Sequence, residues 1–147
     1  MILRSPLNHE EIAFALDIYI SMNDESVIPS NREHALKVLY GYITNRAYFK
    51  LIEYEDDIVG FVLADLHKPD MHGLPVARQI FYASNLKTVK AVKALVLAHE
   101  GIIEWGRSRG AKFVYSSSSH MDSSNQLCRI LAKHGWRTYN YLAIYDL

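Results

Sequence analysis

Twice in this chain an amphipathic helical pattern stops on a glycine and passes directly into a β-rich run. Over residues 88–109, Val92, Leu95, Val96, His99, Ile102 and Ile103 recur at the 3.6-residue period and define one apolar face. Gly110 ends the pattern, with Arg107 and Arg109 in the last turn, where cations suit the helix dipole. Residues 112–118 follow as a strand. The unit then repeats: Leu127, Ile130, Leu131 and His134 share a face, Gly135 stops the helix, and residues 137–146 alternate as a last strand. Helix–glycine–strand units of this kind return the chain to a sheet, so they predict a layered α/β arrangement with parallel crossovers.

The earlier segments complete the alternation. Ile2-Leu3-Arg4 reads as a first strand. Asn8 with Glu11, Ser30 with Glu33 and Ser123 with Gln126 have capping-box spacing, in which the first side chain accepts an orphan amide at a helix start. The first pair opens a helix over residues 9–22, with Ile12, Leu16, Tyr19 and Ile20 on one face. The second opens a helix reaching residue 44, with Leu36, Leu39, Tyr40 and Ile43 together. Residues 48–54 and 58–66 flank Glu55-Asp56-Asp57 and read as an antiparallel hairpin. Residues 67–75 hold two prolines and a glycine and read as a loop, and residues 76–83 as a further strand. The resulting order is β-α-α-β-β-β-α-β-α-β, an α/β fold with a mixed central sheet and helices on both faces.

Composition narrows the partners. The 147 residues fit one domain spanning 1–147, and a chain that is 50% hydrophobic is not disordered. Sixteen Lys+Arg balance 16 Asp+Glu, and a pI near 7.1 argues against a general nucleic-acid binder. Cys128 is the only cysteine, which excludes an intrachain disulfide and a multi-cysteine zinc site. No apolar run approaches the ~20 residues of a membrane helix, and the first residues lack a signal-peptide core. The expectation is a cytoplasmic protein without a membrane partner.

Several segments, taken in order, resemble the GCN5-related N-acetyltransferase (GNAT) superfamily. Ile2-Leu3-Arg4-Ser5-Pro6-Leu7 followed by Glu10-Glu11-Ile12 looks like the family's opening strand and first helix. Tyr54-Glu55-Asp56-Asp57-Ile58-Val59-Gly60-Phe61 looks like its acidic hairpin turn before an apolar-Val-Gly strand. Residues 103–112, Ile-Glu-Trp-Gly-Arg-Ser-Arg-Gly-Ala-Lys, look like the end of its third helix. Asn125 through Lys133-His134-Gly135-Trp136 looks like its fourth helix, ending in glycine plus an aromatic. The resemblance implies a mostly antiparallel GNAT sheet and an N-acetyltransferase that moves an acetyl group from acetyl-CoA to a primary amine of a small molecule or protein. It also implies that pantetheine pairs with the fourth strand at Ile80, Phe81, Tyr82 and Ala83. The pyrophosphate would sit on the start of the third helix at Lys87, Thr88, Val89, Lys90, Ala91 and Val92, with Asn125 nearby.

Two positions depart from the family. The usual Gln/Arg-x-x-Gly-x-Gly/Ala loop corresponds to residues 85–92, which contain no glycine. Either Lys87, Lys90 and Val92 or Leu86, Val89 and Ala91 fill the motif positions. The tyrosine that many members place four residues before the terminal glycine is Leu131 here, and the usual asparagine is Ser124, with Asn125 beside it. These departures also leave open a second reading, a catalytically inactive GNAT-fold binding or structural protein. In its brevity that reading is similar to small phage-encoded GNAT-like proteins.

Individual candidates carry two readings each. Lys87, Lys90 and Lys93 crowd a helix start, where cations oppose the macrodipole; they are either an anion site or a solvated face. His120 is either a general base or an exposed loop residue, and Tyr82 either a proton donor or a packing group. His99 reads as a satisfied core histidine and His134 as a helix C-terminal cap. Asp65, His67, Asp70 and His72 match no established metal-ligand spacing and read as a polar loop. Tyr139, Tyr141 and Tyr145 fall on one face of the last predicted strand, as core or as the interface of a homodimer or protein partner.

Overall fold

The computed structural model describes residues 1–22, 31–68, 73–116, 121–139 and 142–147, the backbone alone for 121–125, 139 and 142. Among the described residues, seven strands form one sheet: β1 (Ile2–Arg4), β2 (Tyr48–Tyr54), β3 (Asp57–His67), β4 (Val76–Ser84), β5 (Phe113–Ser116), β6 (Arg137–Tyr139) and β7 (Leu142–Asp146). Their spatial order is β1-β2-β3-β4-β5-β7-β6, and every neighbouring pair is antiparallel except β4 with β5. Helices α1 (His9–Met22) and α2 (Arg32–Thr44) cover one face, and α3 (Thr88–Ser108) and α4 (Met121–Ala132) the other. Neighbouring residues of the central strands point to opposite faces, as the pleat requires. Leu51, Phe61 and Leu63 enter the α1/α2 core, while Ile52, Val62 and Ala64 enter the α3/α4 core. Because both faces are covered, β3 reads as a nearly continuous apolar run.

The local chemistry of the ends explains these boundaries. Asn8 Oδ1 accepts the Glu11 amide at 3.0 Å and starts α1. The Glu11 carboxylate reaches past Asn8, accepting the Leu7 amide at 2.7 Å and the Arg4 guanidinium at 2.8 and 2.9 Å. Arg4 also pairs with Glu53, so one guanidinium ties β1, β2 and α1. The chain turns from β2 to β3 on Glu55 and Asp56, with φ of 52° and 66°, a two-residue turn whose twist suits a hairpin. Both glycine stops close in the same way. The Ala111 amide donates to Gly106 O (2.9 Å) and the Trp136 amide to Leu131 O (3.2 Å), with Gly110 and Gly135 at φ of 77° and 87°. Only glycine adopts that left-handed turn without strain.

Several expectations need correction. The cap of α2 is Asn31, whose side chain accepts the His34 amide at 3.0 Å; Ser30 lies outside the described residues. α4 is already helical at Met121, so Ser123 stands inside the helix and is not its cap. On α3, Val92 is 39% exposed, and the buried face runs instead through Ala94, Leu95, Ala98, His99, Ile102 and Ile103. Small side chains let the helix lie close to the sheet: a Cβ on Gly106 would meet Ala77 Cβ at 2.8 Å. The last predicted strand is two strands, β6 and β7, paired antiparallel with Arg137 opposite Ile144. Tyr139 and Tyr145 therefore sit on different strands, and Tyr141 lies outside the described residues. Among the described residues, no helix is long and apolar enough to cross a membrane.

Gly60 is where β3 meets the end of β4, and a Cβ there would stand 2.0 Å from Ala83 O. Gly60→Ala is expected to destabilise the fold by about 3 kcal/mol, since backbone has to move. Gly41→Ala, on an open surface of α2 with nothing within 4 Å, is expected to stabilise by roughly 0.5–1 kcal/mol. Urea unfolding midpoints check both directions.

Candidate functional site

The sheet divides between its two parallel strands. β4 pairs with β5 only through Val76, Ala77 and Arg78, opposite Phe113, Val114 and Tyr115. On its other side β4 stays paired with β3 as far as Ser84. Phe81 faces Leu63 and Gln79 faces Ala64, which leaves Ile80 as an extra residue, a β-bulge. A bulge bends its strand and increases its twist, and this one lies two residues beyond the last β4–β5 pair. β5 ends at Ser116, which pairs with Ala143 of β7. Over residues 79–84 the outer edge of β4 therefore carries no strand partner among the described residues. Such an edge presents amides and carbonyls that an extended, amide-bearing ligand can satisfy.

The bulge also decides which side chains flank the gap. Ile80, Phe81 and Ala83 pack toward α1 and α2, and Tyr82 packs toward α3. The Tyr82 ring lies 6.1 Å from the His99 ring, and burial pushes its phenol up to about 12. It holds its proton more tightly than an ordinary tyrosine and is a correspondingly poor acid.

The strand then leads into α3. The Asn85 amide donates to Val59 O at 2.9 Å and the Leu86 amide to Ser84 Oγ at 3.2 Å, which pins the loop. Lys87 is extended, and Thr88 begins the helix at φ 57°. Among the described residues no side chain caps this end, and no acidic residue stands in the first turn, so the first amides are open to an outside partner. A left-handed β-branched residue is strained, and glycine would take the same backbone freely. Lys87, Thr88, Val89, Lys90 and Lys93 are exposed around this end and Ala91 is half-buried. Lys90 leans away toward the hairpin, with Nζ 4.6 Å from the Tyr54 ring, and contact with that phenol raises its pKa. A cleft of about 540 Å³ adjoins it, lined in part by Tyr54, Glu55, Leu86, Phe14 and Glu11.

At the apex of the fork lies a buried polar chain that sequence reasoning did not assemble. His99 Nδ1 is 2.7 Å from Leu95 O, and Nε2 is 2.7 Å from Ser116 Oγ. Ser116 Oγ is 2.6 Å from the Gln79 carboxamide oxygen, Oε1. Burial lowers the His99 pKa to about 4. The reading of His99 as a satisfied core histidine holds, but its partners come from two strands remote in sequence and leave no local signal. Leu131 is fully buried and apolar, so no proton donor stands at that position.

The remaining candidates are dispersed. Asp65 is held by Arg78 through two bonds of 2.8 and 3.1 Å, and His67 is exposed. His134 is exposed after the last turn of α4. His120, Asp70 and His72 lie outside the described residues, as does the Asn125 side chain.

No family model and no curated protein matches this sequence. Solved structures do match over its whole length. A ribosomal-protein-alanine N-acetyltransferase from Brucella melitensis has a TM-score of 0.69 at 15% identity, covering 100% of both chains. An N-acetyltransferase from Staphylococcus aureus has a TM-score of 0.68 at 14% identity, covering 99% of this chain and 96% of that one. A GNAT-family acetyltransferase from Streptococcus pneumoniae has a TM-score of 0.65 at 13% identity, with 99% and 98% covered. The chain has the GNAT fold.

Two outcomes follow from this geometry. Thr88→Gly is expected to raise stability by about 1 kcal/mol by relieving the left-handed strain, read from the urea midpoint. His99 has a folded value near 4 against an ordinary 6.5, so the unfolded chain takes up its proton first. Stability from this residue is complete above about 6.5 and falls as pH drops toward about 4. Between pH 7 and pH 5 the wild type is expected to lose about 2 kcal/mol, and His99→Gln to lose much less, by denaturation at each pH.

Proposed function

We propose that this chain is an acetyl-CoA-dependent N-acetyltransferase that moves an acetyl group to a primary amine of a small molecule or a protein. The observation that carries the reading is a β4 edge that has no strand partner among the described residues and ends at a helix N-terminus that none of their side chains caps. The edge over residues 79–84 matches an arm with two amides, and the α3 start matches an anion. The acetyl-CoA thioester supplies an activated acyl carbon. Ile80, Phe81, Tyr82 and Ala83 hold the arm through their backbone, and an unpaired β4 amide is placed to donate to the oxyanion. The amides from Lys87 to Val92 hold the diphosphate, with Lys87 and Lys93 adding charge.

The amine attacks the thioester carbon directly, the C–S bond breaks, and the proton given up by the amine ends on the departing sulfur. Tyr82 stays the proposed donor to that sulfur, a weak one because burial pushes its phenol up to about 12. His120 stays the proposed base that takes the amine proton. A GNAT-fold protein without turnover is the second reading, favoured by the wholly apolar burial of Leu131.

Calorimetry with acetyl-CoA tests the first step. Micromolar binding is expected, weakened about tenfold by Lys87→Glu with Lys93→Glu and weakened further by salt. No heat and no thermal stabilisation at millimolar acetyl-CoA would defeat the reading. Binding without acetyl transfer across a panel of amines would favour the second one.

A further inference from the structure

The buried chain at the fork has a direction, and proton counting fixes it. His99 and Ser116 are each 1% exposed, so no solvent completes their bonds. A carbonyl oxygen only accepts, so the proton of the ring lies on Nδ1, facing Leu95 O at 2.7 Å. The ring is neutral near pH 7, because burial among the Tyr82 and Trp136 rings penalises its charge. Nε2 is therefore an acceptor, and the Ser116 hydroxyl donates to it at 2.7 Å. A hydroxyl has one proton to give. The structure sets the Gln79 carboxamide oxygen 2.6 Å from this hydroxyl, but a Ser116 proton given to His99 leaves the Ser116 oxygen an acceptor there, so proton counting turns the carboxamide over to face it with its NH2. The two ends of a carboxamide have the same outline, so hydrogen bonding decides between them. The Gln79 carbonyl oxygen is then turned away from the chain.

Gln79 is also the first β4 residue beyond the last pair with β5, and it is half-buried. We infer that Gln79 contacts ligand, its carboxamide oxygen accepting a hydrogen bond from an N–H of the molecule seated at the apex of the fork, with Ser116 and His99 as the positioning residues that orient it. This role rests on the acetyl-CoA reading of the fork. An acceptor oxygen repels a thiolate or an oxyanion, so Gln79 places a reactant and does not stabilise developing negative charge. The N–H comes either from an amide of the carrier arm or from the attacking amine. A buried polar chain is costly unless every member is satisfied, and apolar side chains would fill the same space. The fixed orientation of the Gln79 amide is what the polar version adds.

The test uses Gln79→Met, which keeps length and removes polarity. Expected is about a tenfold weaker acetyl-CoA Kd if the arm amide is the donor. If the amine is the donor, the amine KM rises about tenfold at unchanged acetyl-CoA Kd. Ser116→Ala, which frees the amide to turn, is expected to move the same constant several-fold. It serves as the reporter should Gln79→Met fail to fold. Unaltered constants in a folded variant, alongside normal wild-type binding, overturn the role of Gln79 alone. A wild type that binds no acetyl-CoA overturns the acetyl-CoA reading and this role with it. Nitrogen-15 NMR of the His99 ring is expected to show the Nδ1–H tautomer at pH 7. The Nε2–H tautomer overturns the direction of the chain and so the inference.

Discussion

β4 cannot follow both of its neighbours, and the rest of the molecule is arranged around that conflict. Among the described residues, β3 holds it to Ser84 and β5 only to Arg78. The bulge at Ile80 turns the strand, and Gly60 lets β3 stay against it where any side chain would meet Ala83 O. One extra residue and one missing side chain therefore act together. The first opens the gap, and the second keeps its far wall attached to the sheet. A strand edge held open by its other neighbour keeps its hydrogen-bonding groups available without unfolding anything.

The start of α3 shows the same economy in electrostatic terms. It is uncapped, surrounded by lysines and strained at Thr88, three features that each disfavour a helix start standing alone. Local rules that fail together at one place are what a functional site produces. The neutral total charge conceals this arrangement. Lys90 is drawn to Tyr54 and Glu55 on the acidic hairpin, which leaves the cations around the helix start unequal in what they face.

Much of the fold was legible because its signals are local. The period and cap of α1 placed both of its ends, and the glycine stops at Gly110 and Gly135 placed two more. Legibility failed where a pattern does not distinguish alternatives. Ser30 and Asn31 are both capping residues, and the His34 amide chose the second. Alternation over residues 137–146 continues through the change of strand, so one strand was read where there are two. Ala94 and Ala98 bury fully yet carry little apolar bulk, so the α3 face was drawn too far toward Val92. In the candidate site the open β4 edge at Ile80 to Ala83 was expected through the resemblance alone, because the residues themselves do not mark it. An unpaired edge, a bulge and a left-handed threonine are backbone facts with no side-chain signature. Gln79, His99 and Ser116 meet only after two strands and a helix have packed.

The parallel seam has a mechanical meaning as well. Strands β1 to β4 with α1 and α2 form one half of the sheet, and β5, β7 and β6 with α4 form the other. Val76, Ala77 and Arg78 join the halves by strand pairing, and α3 packs across both. The sheet's parallel junction, three residue pairs long, is thus also its candidate ligand site. A molecule lying along β4 would act as a replacement rung between the halves. Without one, strand pairing across the seam rests on those three residues, and the shared α3/α4 core holds the halves together.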